Sequence, residues 1–380
     1  MSLPDFSYAS ARIDAAIDKA LAEKRIVGTV VIAAHDGEII HRRAAGYSHR
    51  ETQTPMRGNA IFRLASITKP IVTAAVMRFV EDGRLDLHAP VTQWLPDFRP
   101  ALPDGSTPEI TVHHLLTHTS GLRYRFLEPA DGPYHKLNVS DGLDQPGLSL
   151  HENLSRLGAA PLAFAPGAGW HYSLGLDVLG GILEQLEGRS LAEIVREKVT
   201  IPLGLTDTDF AVRDTARLAA AYADGDPVPV PMMDGIQVPI FATAACFAPS
   251  RILDPKSYPS GGAGMAGTAG DVLRFLEAIR AGGAPILDAR TVGTMAADQV
   301  GTQAETQGPG WGFGYGWAVL VDPAPTGTPQ APGTLQWGGA YGHSWFIDRA
   351  NGLSVVALTN TAFEGMSGAF PAEIRNAVYG

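Results

Sequence analysis

Ser66 and Lys69 stand three residues apart in the segment Phe62-Arg63-Leu64-Ala65-Ser66-Ile67-Thr68-Lys69-Pro70. A serine hydroxyl is a weak nucleophile until a neighbouring base takes its proton. A lysine can be that base only where burial or nearby positive charge depresses its pKa. Helix positions i and i+3 share a face about one turn apart, so a helix would bring the two side chains together. The run that follows, IVTAAVMRFVEDG, is apolar at helical period and stops at Gly83, which suits a C-terminal cap. Pro70 fits only within a first turn, so the spacing predicts a helix from about Ser66. A serine there sits at the positive end of the helix dipole, where free N–H groups favour developing negative charge. The chain has six lysines, and this is its one Ser-x-x-Lys. On the motif alone, a simple helix cap beside a solvated lysine stays open as the alternative.

Other chemistry-bearing residues are weaker candidates. His114 and His118 have the spacing of a helical zinc pair, but Leu115 stands where the HExxH motif needs glutamate, so no metal is expected and both are read as structural. His343 and Asp348 invite a Ser-His-Asp reading, but no Gly-x-Ser-x-Gly elbow occurs in the chain. Cys246, the single cysteine, lies among Ala244, Ala245, Phe247 and Ala248 and reads as a small buried hydrophobe. Trp170 and Trp345 read as core.

Elements must position the Ser66 pair. Ile13, Ile17 and Leu21 recur at helical spacing between Tyr8 and Arg25, so an amphipathic helix opens the chain. Two β-rich runs then flank Asp36-Gly37, a dipeptide that tolerates the positive φ angles of a tight hairpin. Near the C-terminus, Thr334–Asp348 and Leu353–Thr361 read as strands around a turn at 349–352, followed by a short helix over Pro371–Tyr379. Helices at both ends with antiparallel strands inside them predict one sheet built from the two termini. The middle, rich in Pro, Gly and Asp, carries short helices over Leu174–Leu186 and Leu191–Val199. A helix over Thr268–Ala281 re-enters the sheet unit, and no internal repeat is visible. The expected division is a sheet unit of residues 1–85 and 254–380 around a mainly helical insertion, 86–253.

The 380 residues, 45% hydrophobic and 18% charged, have the composition of a compact globular protein. A net charge of −10 excludes a basic stripe for nucleic acid and speaks against an anionic membrane surface. The N-terminal residues lack the basic and apolar regions of a signal peptide, and no apolar run approaches the roughly 18 residues of a membrane span, so a cytoplasmic location is expected.

FRLASITKP resembles the Ser-x-x-Lys segment of the serine β-lactamase and penicillin-binding-protein superfamily, in its class C branch. HHLLTHTSGL (113–122), WHYSLGLDVLGGILE (170–184), YPSGGAGMAGTAGDVLRFLEAI (258–279) and TLQWGGAYGHSWFIDRANGLSVVALTN (334–360) are similar to segments of that branch's esterase relatives, in the same order. The likeness to family VIII carboxylesterases runs nearly end to end. It implies an α+β fold, an antiparallel sheet flanked by helices with the site in the cleft beside the insertion. It implies Ser66 as nucleophile, Lys69 and Tyr172 as the groups sharing its proton, and an oxyanion hole from the Ser66 and Ala340 amides. Trp337-Gly338-Gly339 stands where the superfamily has Lys-Thr-Gly, and Tyr172-Ser173-Leu174 where it has Tyr-x-Asn. Gly338 and Gly339 are expected to let substrate approach the strand backbone, and Tyr124 is a further candidate for the lining. Asp177 is either a partner of the lysine or a surface carboxylate.

The departures carry the substrate expectation. Leu174 and Trp337 replace an amide-reading asparagine and a carboxylate-reading lysine, which leaves an apolar site suited to an ester's hydrocarbon parts. The expected activity is hydrolysis of short-chain carboxylic esters through a Ser66 acyl-enzyme, without cofactor. β-Lactamase, DD-peptidase, amidase and acyltransferase chemistry of the same superfamily are the alternatives, with a non-catalytic scaffold more remote.

Overall fold

The computed structural model describes residue 6, residues 8–240 and residues 243–380. Its frame is an eight-stranded antiparallel sheet. In spatial order the strands are Trp311–Phe313, Ala318–Leu320, Leu335–Gly339, His343–Asp348, Leu353–Thr359, Gly28–His35, Glu38–His49 and Thr54–Pro55. The chain's two ends meet at its centre, where Val31 pairs with Ala357 and Ile32 with Val356. At the first hairpin Asp36 and Gly37 both take positive φ, +49° and +87°, as that dipeptide predicts.

Strand alternation divides the core into two layers. Val31 and Ala33 face the terminal helices Ala9–Ala22 and Ala369–Tyr379, packing with Ile13, Ile17, Phe370, Ile374 and Val378. Val30 and Ile32 face a larger core that takes in the helices Thr68–Glu81, Gly175–Glu187 and Ala269–Arg280. The last of these is capped by the Thr268 side chain, which accepts from the Asp271 amide. Thr68–Glu81 is buried on nearly every side, Lys69 included.

Three features depart from expectation. The Thr334–Asp348 run is a hairpin of two strands that turns at Gly339–Gly342, because Gly342 takes a φ of +114°. Two edge strands, Trp311–Phe313 and Ala318–Leu320, join the sheet, and the middle of the chain also carries paired strands Ile236–Ile240 and Thr243–Phe247. All are runs of three to five residues, too short to stand out, and Ile236–Ile240, though it alternates, contains Pro239, which argues against a strand. The Leu191–Val199 helix is α-helical only to Val195 and continues as a π-turn over Arg196–Thr200. Among the described residues no helix is long and apolar enough to cross a membrane.

Candidate active site

Ser66 sits in a short 3₁₀ turn, Ala65–Ile67, wedged between a strand and a helix. The strand Phe62–Arg63 pairs with Ala266–Gly267, and the Leu64 amide donates to the Met265 carbonyl at 2.8 Å. Ala65 is held at φ +46°, a left-handed conformation that costs a non-glycine residue about 1–3 kcal/mol. The α-helix proper begins at Thr68, two residues later than expected, and the extra turn is what swings the Ser66 hydroxyl out of the helix axis.

Lys69 and Tyr172 converge on that hydroxyl. Lys69 Nζ lies 3.1 Å from Ser66 Oγ and donates to the Gly262 carbonyl at 2.8 Å. Tyr172 Oη lies 2.7 Å from Ser66 Oγ and accepts from the Trp337 indole N–H at 3.3 Å. Tyr172 arrives on the extended segment before the Gly175–Glu187 helix. Its ring is clasped by His118 (5.0 Å between centroids), Tyr124 (4.9 Å) and Trp337 (5.2 Å), and Lys69 Nζ sits 4.5 Å from its centre.

Burial sets the proton affinities. It pulls the Lys69 ammonium down to about 7, against opposition from Asp177 and Asp141. It pushes the Tyr172 phenol well above its ordinary value and holds His118 far below its own, with Lys69 adding to the latter. A neutral amine at Lys69 can donate one hydrogen to Gly262 and still offer its lone pair to Ser66.

The amides of Ser66 and Ala340 donate to no other backbone group among the described residues. The strand carrying Trp337 comes so close to the serine turn that a Cβ on Gly339 would lie 2.4 Å from the Leu64 carbonyl oxygen. A Cβ on Gly338 would lie 2.8 Å from both the His343 carbonyl and Met366. Both glycines are therefore required by the protein's own packing, a reason that sequence reasoning did not give for them.

Leu174 is also corrected. It is wholly buried in the main core, so it presents no surface to a ligand. Tyr124 is buried too, stacked on Phe126 at 4.9 Å and facing Lys69 at 5.0 Å, behind the site and not on its rim. Trp337, half-buried, is the one of the expected lining side chains that keeps appreciable exposure. Asp177 is interior, not a surface carboxylate.

His118 bonds Ser173 Oγ at 3.0 Å and braces Tyr172. Sequence reasoning left it merely structural and missed Gly262 as acceptor for Lys69; the only trace of the latter is the glycine cluster in YPSGGAG. His343 bonds the Arg63 carbonyl at 2.8 Å, while Asp348 caps Asn351 and bonds Tyr379, so neither belongs to the site. No group of three or more metal-ligating side chains occurs among the described residues. Trp345 is core and Trp170 half-buried. Cys246 is half-buried, not buried as expected, because its short strand forms the wall of an open cavity of about 480 Å³. Arg125, Asp144, Asp234 and Gln237 also line that cavity, and none of Ser66, Lys69, Tyr172 and Trp337 does.

Residues 13–378 match the Beta-lactamase family. The chain belongs to that family. It is 57% identical over 379 residues to Esterase EstB of Burkholderia gladioli, covering 99% of this chain and 96% of the relative. Among solved structures it superposes on EstCE1, described as a hydrolase with promiscuous acyltransferase activity, with a TM-score of 0.96 and 49% identity over 98% of this chain and 99% of that one. Simvastatin synthase of Aspergillus terreus, 23% identical with a TM-score of 0.77 over 98% of this chain and 95% of the other, shares the fold.

Proposed function

We propose that this beta-lactamase-family chain is a serine carboxylesterase acting on short-chain esters. The observation that carries the reading is the convergence of a buried lysine and a buried tyrosine on one serine oxygen, at 3.1 and 2.7 Å. Lys69, with its affinity near neutrality, takes the Ser66 proton as Oγ attacks the ester carbonyl. The carbonyl oxygen, now an anion, is received by the Ser66 and Ala340 amides. Tyr172 stays a phenol because burial disfavours its anion, and it passes its proton to the departing alkoxide while Lys69 reprotonates it. Water attacks the acyl-enzyme by the reverse relay and frees the acid and Ser66. Lys69 is thus the first base.

EstCE1's description, with 49% identity, favours a second outcome at the same acyl-enzyme. An alcohol replacing water would give acyl transfer with no change in the machinery. The reading also takes the chain to work as one catalytic unit, residues 1–85 and 254–380 around 86–253, in the cytoplasm, on a small molecule and without nucleic acid or membrane.

A fluorophosphonate probe followed by peptide mass analysis is expected to label Ser66, and Ser66→Ala to abolish hydrolysis of activated esters while melting near wild type. Ser66 is half-buried and caps no helix, so its hydroxyl contributes only ~1 kcal/mol per hydrogen bond to stability. Ester turnover undiminished in Ser66→Ala would overturn the assignment.

A further inference from the structure

Two buried carboxylates lie near Lys69, and they are held very differently. Asp141 is satisfied by the fold, accepting from the Arg125 amide at 2.7 Å and the Phe126 amide at 3.2 Å, and so it fixes the turn that carries Phe126. Asp177 is 1% exposed, and neither of its oxygens makes a well-formed hydrogen bond among the described residues, the Ser260 hydroxyl and the Gly262 amide being its nearest donors. A buried carboxylate without well-formed hydrogen bonds is costly, and the fold retains one only where nearby charge compensates.

The compensating charges are Lys69 and Arg251. The convergence is visible at Gly262, whose carbonyl accepts the Lys69 hydrogen bond. A Cβ there would lie 2.7 Å from Asp177 Oδ2, 2.7 Å from Tyr124 Oη and 3.5 Å from Lys69 Nζ. Three buried polar groups therefore surround the place where any other residue would carry its side chain. Arg251 is buried beyond the carboxylate, donating to the Tyr258 carbonyl at 2.8 Å with its guanidinium 4.6 Å from that ring's centre. Burial raises the Asp177 carboxyl, while the Ser260 hydroxyl, the charges of Lys69 and Arg251 and the Gly262 amide pull it down.

We propose that Asp177 is a positioning residue whose carboxylate, acting on Lys69 and Arg251 by charge and not by contact, steadies the Lys69 amine at Ser66 and sets the pH at which it can accept a proton. This rests on the esterase reading above. The titratable and charged groups facing the pair from the surrounding elements are Tyr124, Tyr172, Asp141, His118, Tyr258 and Arg251. Of these, Tyr124, Tyr172 and Tyr258 are raised by burial and His118 is lowered, so all four stay neutral at neutral pH. Asp177 opposes the desolvation of Lys69, so removing its charge makes the ammonium form scarcer.

Asp177→Asn therefore moves the acid limb of kcat/KM to lower pH, by about one unit. The plateau kcat falls up to roughly tenfold because a less basic amine takes the proton less readily, and KM stays within about twofold. Gly262→Ala keeps the charge but forces the carboxylate away from Lys69, so its limb moves the same way by less; it serves if Asp177→Asn does not fold. A limb that stays in place in the folded variant, or moves upward, would mean that Asp177 merely packs and would overturn the proposal. Turnover surviving in Ser66→Ala would instead sink the esterase reading itself, so the two failures are distinct.

Discussion

Lys69 and Lys19 are one residue type in opposite surroundings. Lys19 lies on the exposed side of the first helix with Nζ 2.6 Å from Glu373, and that hydrogen bond, with the attraction of the carboxylate, raises its pKa. Arg25 and Arg43 nearby are paired likewise, Arg25 with Glu23, Glu364 and Glu373, and Arg43 with Asp14 and Asp18. Lys69 is wholly buried and among the described residues hydrogen-bonds only a serine hydroxyl and a carbonyl. In water an ion pair loses little hydration, so attraction wins by a small margin. In the interior desolvation wins unless a carboxylate accepts directly from the ammonium, and here the two nearest carboxylates hold back from contact. Pairing at the surface makes a lysine inert, and its absence inside leaves one able to exchange a proton near pH 7.

The largest effect is expected where that interior is emptied. Lys69→Ala and Tyr172→Phe should each lower kcat for an activated ester by about a thousandfold or more. The double variant should be little worse than the poorer single, because groups that act as one unit are not additive. Losses that multiply in steady-state assays would show two independent groups, and a nearly active Lys69→Ala would reduce the buried lysine to packing.

The contrast extends to what enters the cleft. Most guanidinium and ammonium groups paired with carboxylates sit at the surface, Arg125 with Asp144 being an interior pair, while Trp337 offers a β-lactam's carboxylate no cation. An unpaired polar group costs about 1–3 kcal/mol, more if charged. Leu174, buried and out of reach, leaves the lactam's amide without an asparagine partner, so that cost adds to the one for the unpaired carboxylate beside Trp337. kcat/KM for a short-chain aryl ester should therefore exceed that for ring opening of any penicillin or cephalosporin by at least about a thousandfold. Products identified by mass decide it, since a cephalosporin's acetyl side ester is an ordinary ester bond. Efficient lactam opening would mean that the cleft supplies a cation after all.

How much of this was legible beforehand follows from what each signal measures. Ser66-x-x-Lys69, the Asp36-Gly37 hairpin and the strands at the two ends are local patterns, and local patterns survive into the fold; that the two ends pair followed from their matching order of helix and strands. The likeness to family VIII carboxylesterases supplied Tyr172 and Ala340, which no spacing rule reaches. What stayed hidden is how far a side chain lies from solvent. Leu174 stands two positions past Tyr172, but as the N-cap of the Gly175–Glu187 helix it is turned into the core, so substitution by type did not make it a wall of the site. The glycines after Trp337 looked like room for a ligand, but the room is filled by Leu64, His343 and Met366. The state of Lys69 depends on Asp177 and Gly262, both more than a hundred residues away and visible only once the chain is folded.

The smallest expected effect tests the opening contrast most directly, through stability against pH. Lys69 binds its proton near pH 7 in the folded chain and near the ordinary 10.5 when unfolded. Between those values the unfolded state holds a proton the native state lacks, so this residue makes stability rise with pH, by up to ~1.4 kcal/mol per unit. Lys69→Met has nothing to titrate and should lack that rise. Lys19 has the opposite sign. Its folded value is raised above 10.5, so its contribution is fully present at neutral pH and disappears as pH climbs through that folded value. Lys19→Met should therefore be slightly less stable than wild type at pH 7, begin to converge on it at the alkaline end of the range, and leave kcat/KM unchanged throughout. Urea midpoints for the three proteins from pH 6 to 11 give both slopes. Two variants whose differences from wild type change with pH in the same direction would mean that burial and pairing do not separate these lysines.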